Sequence, residues 1–183
     1  MLKVDAYVGI GSNLGDRQDF CSRALGLLGM LPLSSLTGYS SGYETEPVEH
    51  VGNAFLNLVA RVETQLPIYR LLEILLETER ALGRNLQARS GPRTLDLDLL
   101  FYGDQVLQQP GPNGLIVPHP RLHLRRFVLA PLAELAPDLR HPVLLQSMST
   151  LLAGLRDEHS VRRLPDPVVP WRREGERCGQ SIT

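Results

Sequence analysis

Leucines alternate with two aspartates along "GPRTLDLDLLFYGD", residues 91 to 104. Side chains at i and i+2 share a face in a strand, about 6.6 Å apart. Leu95, Leu97, Leu99 and Phe101 are therefore expected to face packed helices, and Asp96 and Asp98 to share the opposite face. A chain with such a strand needs a sheet with one face covered and part of the other open. Two carboxylates held that close repel unless cations hold them, and hard oxygen-liganded ions, Mg²⁺ above all, are their natural partners. Taken alone, the triplet fits a solvated sheet face better than a metal site.

The remaining patterning supplies the rest of the sheet. Residues 2 to 11 read as a strand ending in a Gly-rich corner. Asp16 can cap a helix to about Leu31, with Phe20, Ala24, Leu27, Leu28 and Leu31 on one face. Residues 35 to 46 read as a second strand. In "AFLNLVARVET" Leu56, Leu58, Ala60 and Val62 alternate against Phe55 and Asn57. Pro67 opens a second helix that ends at Gly83. Gly103-Asp104 suits a hairpin turn, a short helix is expected near Pro131, and another around 147 to 155.

The order β-α-β-β-α-β predicts an α+β, ferredoxin-like core, with an antiparallel sheet and its helices on one face. One domain is expected over 1–160. Residues 161–183 are polar and rich in Pro and Arg, and are expected to form a loose tail.

The formal net charge is −1 over 183 residues, so no global field attracts nucleic acid or a membrane. Any basic site must be local. No apolar run approaches the ~20 residues of a membrane span, and Lys3 and Asp5 interrupt the start. Cys21 and Cys178 suggest neither a disulfide framework nor a zinc site, so a reducing cytoplasm is expected. The cations are concentrated around the Asp pair. Arg80, Arg84, Arg89 and Arg93 precede it with no acid between Arg80 and Asp96, and His119, Arg121, His123, Arg125 and Arg126 follow. Guanidinium groups fork onto phosphate oxygens, so acidic metal ligands beside arginine-rich loops make a site for a metal–polyphosphate.

"GIGSNLGDR", residues 9 to 17, is not a phosphate loop: it lacks the Gly-Lys-Ser/Thr of a Walker motif, and Leu14 breaks the dinucleotide fingerprint. It reads as a tight strand-to-helix turn in which Ser12 and Asn13 satisfy backbone groups and which borders the site.

These pieces, "YVGIGSNLGDR", "YETEP", "FLNLV", "ETERALGR", "GPRTLDLDLLFYG", "VPHPR" and "RRFVLAPLAELAPDL", resemble in order the 6-hydroxymethyl-7,8-dihydropterin pyrophosphokinase family, from about Tyr7 to Pro142. The resemblance implies a ferredoxin-like enzyme of folate biosynthesis that moves the β,γ-pyrophosphate of ATP onto a reduced pterin and releases AMP. It implies two Mg²⁺ ions on Asp96 and Asp98, with Arg84, Arg89, Arg93, His119 and Arg125 around the nucleotide and its phosphates. Arg84 and Arg93 join the two aspartates in the catalytic set, and Glu79 helps shape the site. Thr45, Pro47, Phe55, Asn57 and Phe127 would form the pterin pocket, Phe127 stacking on the ring. Asn57 offers the donor and acceptor that a pterin edge needs.

Small-molecule substrates, a monomer, and no nucleic-acid or membrane partner are expected. No second folate-pathway domain is recognisable, so the chain is expected to be monofunctional. Departures from the family pattern fall in "NLQARS", which is one residue short, has Ser90 where a tryptophan often stacks on the pterin, and lacks a lysine, with Arg89 as stand-in. Pro120 and Leu76 also replace an aromatic and a polar residue. Another metal-dependent nucleotidyl or phosphoryl transferase, and a non-catalytic ferredoxin-like binding module, are the competing readings.

Overall fold

The central strand, β1 (Val4–Ser12), has antiparallel neighbours on both sides, β4 (Phe55–Thr64) and β5 (Asp96–Tyr102). The computed structural model describes residues 2–45, 53–83, 93–109, 114–157 and 159–172. β4 shares its far edge between β2 (Ser34–Tyr39) and β3 (Tyr43–Thr45), and β8 (Val161–Arg163) adds to β3. All these pairings are antiparallel, and the main path runs β5-β1-β4-β3-β8. The architecture is mixed α/β, with helices packed on an antiparallel sheet.

Helices α1 (Arg17–Gly29) and α2 (Ile68–Ala81) cover one face. Their buried Ala24, Leu25, Leu28, Leu71 and Leu75 pack on Ala6, Val8, Ile10, Leu58, Leu97 and Leu99. Asp16 caps α1 as expected, its side chain accepting from the Asp19 N–H at 3.0 Å. The buried stripe is rotated from the expected one: Cys21 and Leu25 are buried, whereas Phe20 and Leu27 are half-buried. Cys21 lies in this core, where burial pushes its thiol up to about 12.

The other face is not bare. Helices α3 (Arg126–Leu135) and α4 (Met148–Gly154) form a second core with Tyr7, Val59, Leu100 and Phe101. The expectation of helices on one face concerned the core, whose α1 and α2 share a face; the added C-terminal helices α3 and α4 cover part of the other. Phe101 is on the unexpected side. Val8 pairs with Leu99 but Tyr7 with Phe101, so Leu100 is an extra residue, a β-bulge. It puts Leu100 and Phe101 together against α3 and returns Tyr102 to the α1/α2 core. Phe101 is 1% exposed, and burial of such a ring stabilises the fold by about 2–3 kcal/mol.

Three other expectations are corrected. The strand expected over 35–46 breaks into β2 and β3, with Ser40 between them: its N–H reaches the Val59 carbonyl and its hydroxyl accepts the Val59 N–H. Helix α3 starts at Arg126, five residues before Pro131, and the Asp157 carboxylate accepts the first N–H at 2.8 Å. Gly103-Asp104 forms a tight turn, but no hairpin with β5. The strands that follow, β6 (Leu107–Gln108) and β7 (Ile116–Val117), pair with each other.

The expected loose tail is structured through residue 172. β8 extends the sheet, Val168 is buried, and the Trp171 N–H donates to the Ser22 carbonyl of α1 at 2.9 Å. The approach is so close that a Cβ on Gly26 would lie 2.3 Å from the Trp171 carbonyl oxygen. Residues 173–183 lie outside the described residues.

Candidate functional site

On the α3 side of the sheet, β5, β1 and β4 form the floor of a cavity of about 690 Å³. Its residues come from strand alternation. Asp96 pairs with Gly11 and Asp98 with Gly9, and across β1 those glycines face Asn57 and Val59. Gly11 thus separates the carboxylates from Asn57 without a side chain of its own. A Cβ there would sit 3.2 Å from Asn57 Oδ1 and 3.9 Å from Asp96 Cβ. The glycines expected to be part of a turn are in a strand, and the absence of side chains opens the floor.

Three contacts fix the acidic strand. Glu79, fully buried on α2, accepts the N–H of Leu97, between the aspartates, at 2.6 Å. Arg93 Nη1 donates to Asp96 Oδ2 at 2.7 Å. The Arg93 backbone is bound in both directions by Asn13, whose Oδ1 accepts at 2.6 Å and whose N–H donates at 3.1 Å. Asn13 therefore satisfies backbone groups as expected, and those groups belong to the arginine beside the Asp pair; the buried Ser12 hydroxyl does not share this role.

The bulge at Leu100 positions the next element. Its carbonyl accepts the His119 N–H at 2.9 Å, which brings the chain after β7 over the acidic strand. His119 Nδ1 accepts the Arg121 N–H at 3.3 Å, so its ring proton is carried on Nε2. Burial lowers the His119 pKa; Asp98 opposes this, while Arg125 and Arg121 add to it. The imidazole is consequently neutral near pH 7. Burial, and then Arg121, also depress the Arg125 pKa, although a guanidinium stays charged in water-accessible protein. Arg125 lies over the Phe127 ring, 5.5 Å from its centroid.

On the far side of the glycine floor, Asn57 Nδ2 donates to Thr45 Oγ1 at 3.0 Å, and Thr45 pairs with Phe55. One cavity therefore collects Thr45, Phe55, Asn57, Glu79, Arg93, Asp96, Asp98, His119, Arg125 and Phe127. It continues around the edge strand β5 to Leu72, Leu76 and Leu115. Pro47, Arg84, Arg89 and Ser90 lie outside the described residues. His123 and Arg126 do not join: His123 packs edge-on against His141, and Arg126 binds the Asp157 and Leu155 carbonyls. Sequence reading placed Gly9, Gly11 and Asn13 only in a turn bordering the site, and Arg121 only among the cations around the Asp pair, without a role for any of them. The signal for the glycines was a two-residue spacing matching that of the aspartates.

Among the described residues no three His, Cys, Asp or Glu side chains cluster as a metal site. Two same-face carboxylates still suit Mg²⁺, which keeps several waters and takes its other oxygens from phosphate.

A family model, 7,8-dihydro-6-hydroxymethylpterin-pyrophosphokinase, matches residues 7–137. That span contains every side chain of the cavity. The chain belongs to this family. Pyrophosphokinase activity follows from membership, with ATP as co-substrate. Among its relatives, the 2-amino-4-hydroxy-6-hydroxymethyldihydropteridine pyrophosphokinase of Bacillus subtilis is 44% identical over 135 residues, covering 73% of this chain and 79% of the relative. That of Pseudomonas aeruginosa is 42% identical over 137 residues, covering 74% and 83%. The crystal structure of Plasmodium falciparum HPPK-DHPS with pteroate superposes with a TM-score of 0.67 at 14% identity, which is a likeness of fold. That match covers 83% of this pyrophosphokinase and 44% of the Plasmodium chain, so this chain spans less than half of that protein. Among the described residues, no helix is long and apolar enough to cross a membrane.

Proposed function

We propose that the chain transfers the β,γ-pyrophosphoryl group of ATP to the hydroxymethyl oxygen of 6-hydroxymethyl-7,8-dihydropterin, in folate biosynthesis. The new bond forms between that oxygen and the β-phosphorus. The bond from the β-phosphorus to the α,β-bridging oxygen breaks, AMP leaves with that oxygen, and the hydroxyl proton passes to solvent. The observation that carries this reading is the division of one cavity floor: Asp96 and Asp98 on one side of Gly11, Asn57 and Thr45 on the other. One side has the chemistry for a metal–triphosphate and the other for a flat heterocycle with mixed donors and acceptors.

Asp96 and Asp98 would hold Mg²⁺, two ions in this reading, which when bound neutralises the triphosphate and polarises the bond being broken. Arg93 steadies Asp96 and offers its remaining N–H groups to phosphate. Arg121 and Arg125 place two more guanidiniums where charge accumulates on the migrating group. Neutral His119 donates from Nε2, a hydrogen bond to a phosphate or nucleotide oxygen that adds no further positive charge. Asn57 reads the pterin edge, and Phe55 and Phe127 flank its ring. Alignment of the hydroxyl with the phosphorus supplies the rest of the acceleration, with no covalent intermediate. Arg84, Arg89 and Pro47 complete the proposed set. The strand order β5-β1-β4 with β2/β3, and α1 and α2 on one face, supports reading the core as ferredoxin-like and the chain as one catalytic domain.

Incubation with ATP and Mg²⁺, with and without the pterin, tests this reading. AMP and a pterin diphosphate should accumulate in equal amounts and only together. ADP, free pyrophosphate, or AMP formed without pterin would refute it.

A further inference from the structure

The pterin side of the cavity ends on a short ladder. β3 is three residues long, and its last cross-strand pair is Thr45 with Phe55, two of the residues proposed for the pterin pocket. So short a strand has little intrinsic hold on its terminal pair. Behind it, on the opposite face, lies an arginine that sequence reading left unused.

Arg17, the first residue of α1, donates from Nη1 to the Ala54 carbonyl at 2.7 Å and from Nη2 to Glu44 Oε1 at 3.0 Å. Glu44 immediately precedes Thr45, and Ala54 immediately precedes Phe55. One guanidinium thus fastens both strands of the hairpin one residue from the pair that matters. Glu44 Oε2 takes Arg162 Nη2 of β8 at 2.6 Å, and β8 pairs with β3 along its outer edge. Arg162, and then Arg17, hold the Glu44 carboxyl below its usual range, so the clip is charged at neutral pH. A lysine could not reproduce it, because an ammonium lacks the planar fork that reaches two acceptors in fixed directions. Arg162 lies beyond residue 137, where the family match ends.

We infer that Arg17 is a positioning residue for the pterin subsite, clipping β3 to β4 through Glu44 and Ala54, and that Arg162 of β8 completes the clip. This rests on the proposed assignment of Thr45 and Phe55 to the pterin. It separates two subsites that share one cavity: the clip sets the Thr45–Phe55 pair and touches none of the groups assigned to the triphosphate.

The test is fluorescence titration with 6-hydroxymethylpterin in the presence of Mg²⁺ and a saturating non-hydrolysable ATP analogue. The analogue is titrated separately by calorimetry. Arg17→Ala should weaken pterin binding about tenfold while leaving the analogue within about twofold. Arg17→Lys should recover little of the loss, and Arg162→Ala should cost about threefold. The Arg17→Ala/Glu44→Gln pair should lose about threefold more than Arg17→Ala alone, because Glu44 also holds Arg162. Unchanged pterin affinity in Arg17→Ala would overturn the inference. So would a parallel fall for pterin and analogue, the mark of general loosening. If the wild-type chain binds the analogue but not the pterin, the functional reading fails, and the clip with it.

Discussion

At the β3–β8 end of the sheet, charges meet their complements within the protein. Glu44 lies between Arg17 and Arg162, and Glu134 takes Arg163, the Tyr43 hydroxyl, and both the N–H and hydroxyl of Ser41. At the β5 end the same residue types are arranged otherwise. Arg121 and Arg125 make no ion pair with a carboxylate among the described residues; both lower the His119 pKa, and Arg121 lowers that of Arg125. The Asp pair lies beside them on the same face. The first arrangement is internally balanced and holds strands together. The second has charge of both signs in a half-buried cavity, an arrangement that the proposed metal–polyphosphate would complete. Residue type alone does not separate the two; partner geometry does.

Substitutions at the two ends should differ in kind. The largest effect is expected at Asp98. Asp98→Asn keeps size and hydrogen bonding but removes the charge, and pterin-dependent AMP formation should fall by about 10³-fold or more with little change in melting temperature. A comparable loss of stability would place Asp98 among the structural charges instead. Gly11→Val should come next. Its first side-chain carbon would press on Asn57 Oδ1 at 3.2 Å and its methyls would fill the floor, so pterin turnover should drop about 10²-fold. Turnover close to wild type would show that the substrate does not lie over Gly11.

These two residues were not equally legible. The Asp pair was readable because leucines on both sides fix the strand period. Gly11 was hidden by its neighbours: "GSNLGD" resembles a turn, and only the register with β5 shows that the strand continues to Ser12. The bulge was hidden for a related reason. Leu99, Leu100, Phe101 and Tyr102 are four apolar residues in a row, and such a run carries no alternation to betray an inserted residue. Pro131 was read as a helix start because proline favours that position, whereas here α3 begins at Arg126, with its first N–H taken by Asp157 from 31 residues away. β8 was missed because its neighbourhood is polar and proline-rich, and its partners lie about 118 positions earlier in the chain. The site residues assembled from separate motifs were legible through the family resemblance; the backbone contacts that hold them were not.

Smaller effects sharpen the contrast. Arg121→Ala should weaken binding of an ATP analogue about tenfold, the scale of one charge-assisted bond, and leave stability unchanged. Equal weakening of pterin and nucleotide would show that Arg121 acts on the cavity as a whole. At the balanced end, Glu134→Gln should lower stability by about 1–2 kcal/mol at neutral pH. Burial alone would raise the Glu134 pKa, but the bonds from Tyr43 and Ser41 and the charge of Arg163 outweigh it and hold it down. A depressed carboxyl pKa adds stability above the unfolded value, and that stability is lost as pH falls through the folded one. The gap in melting temperature between wild type and Glu134→Gln should therefore be widest near pH 7 and close below the ordinary carboxylate range, about pH 4. A gap that persists in acid would mean that Glu134 acts by packing rather than charge.

The central claim is that Asp96 and Asp98 hold the metal of a metal–nucleotide. Mn²⁺ can stand in for Mg²⁺ and is read directly by paramagnetic resonance. Titrating Mn²⁺ into the protein with a non-hydrolysable ATP analogue should give a bound signal in the wild type. The Asp96→Asn/Asp98→Asn variant should lose it while retaining its melting temperature. An unchanged bound signal in that variant would contradict the account and move the metal site away from β5.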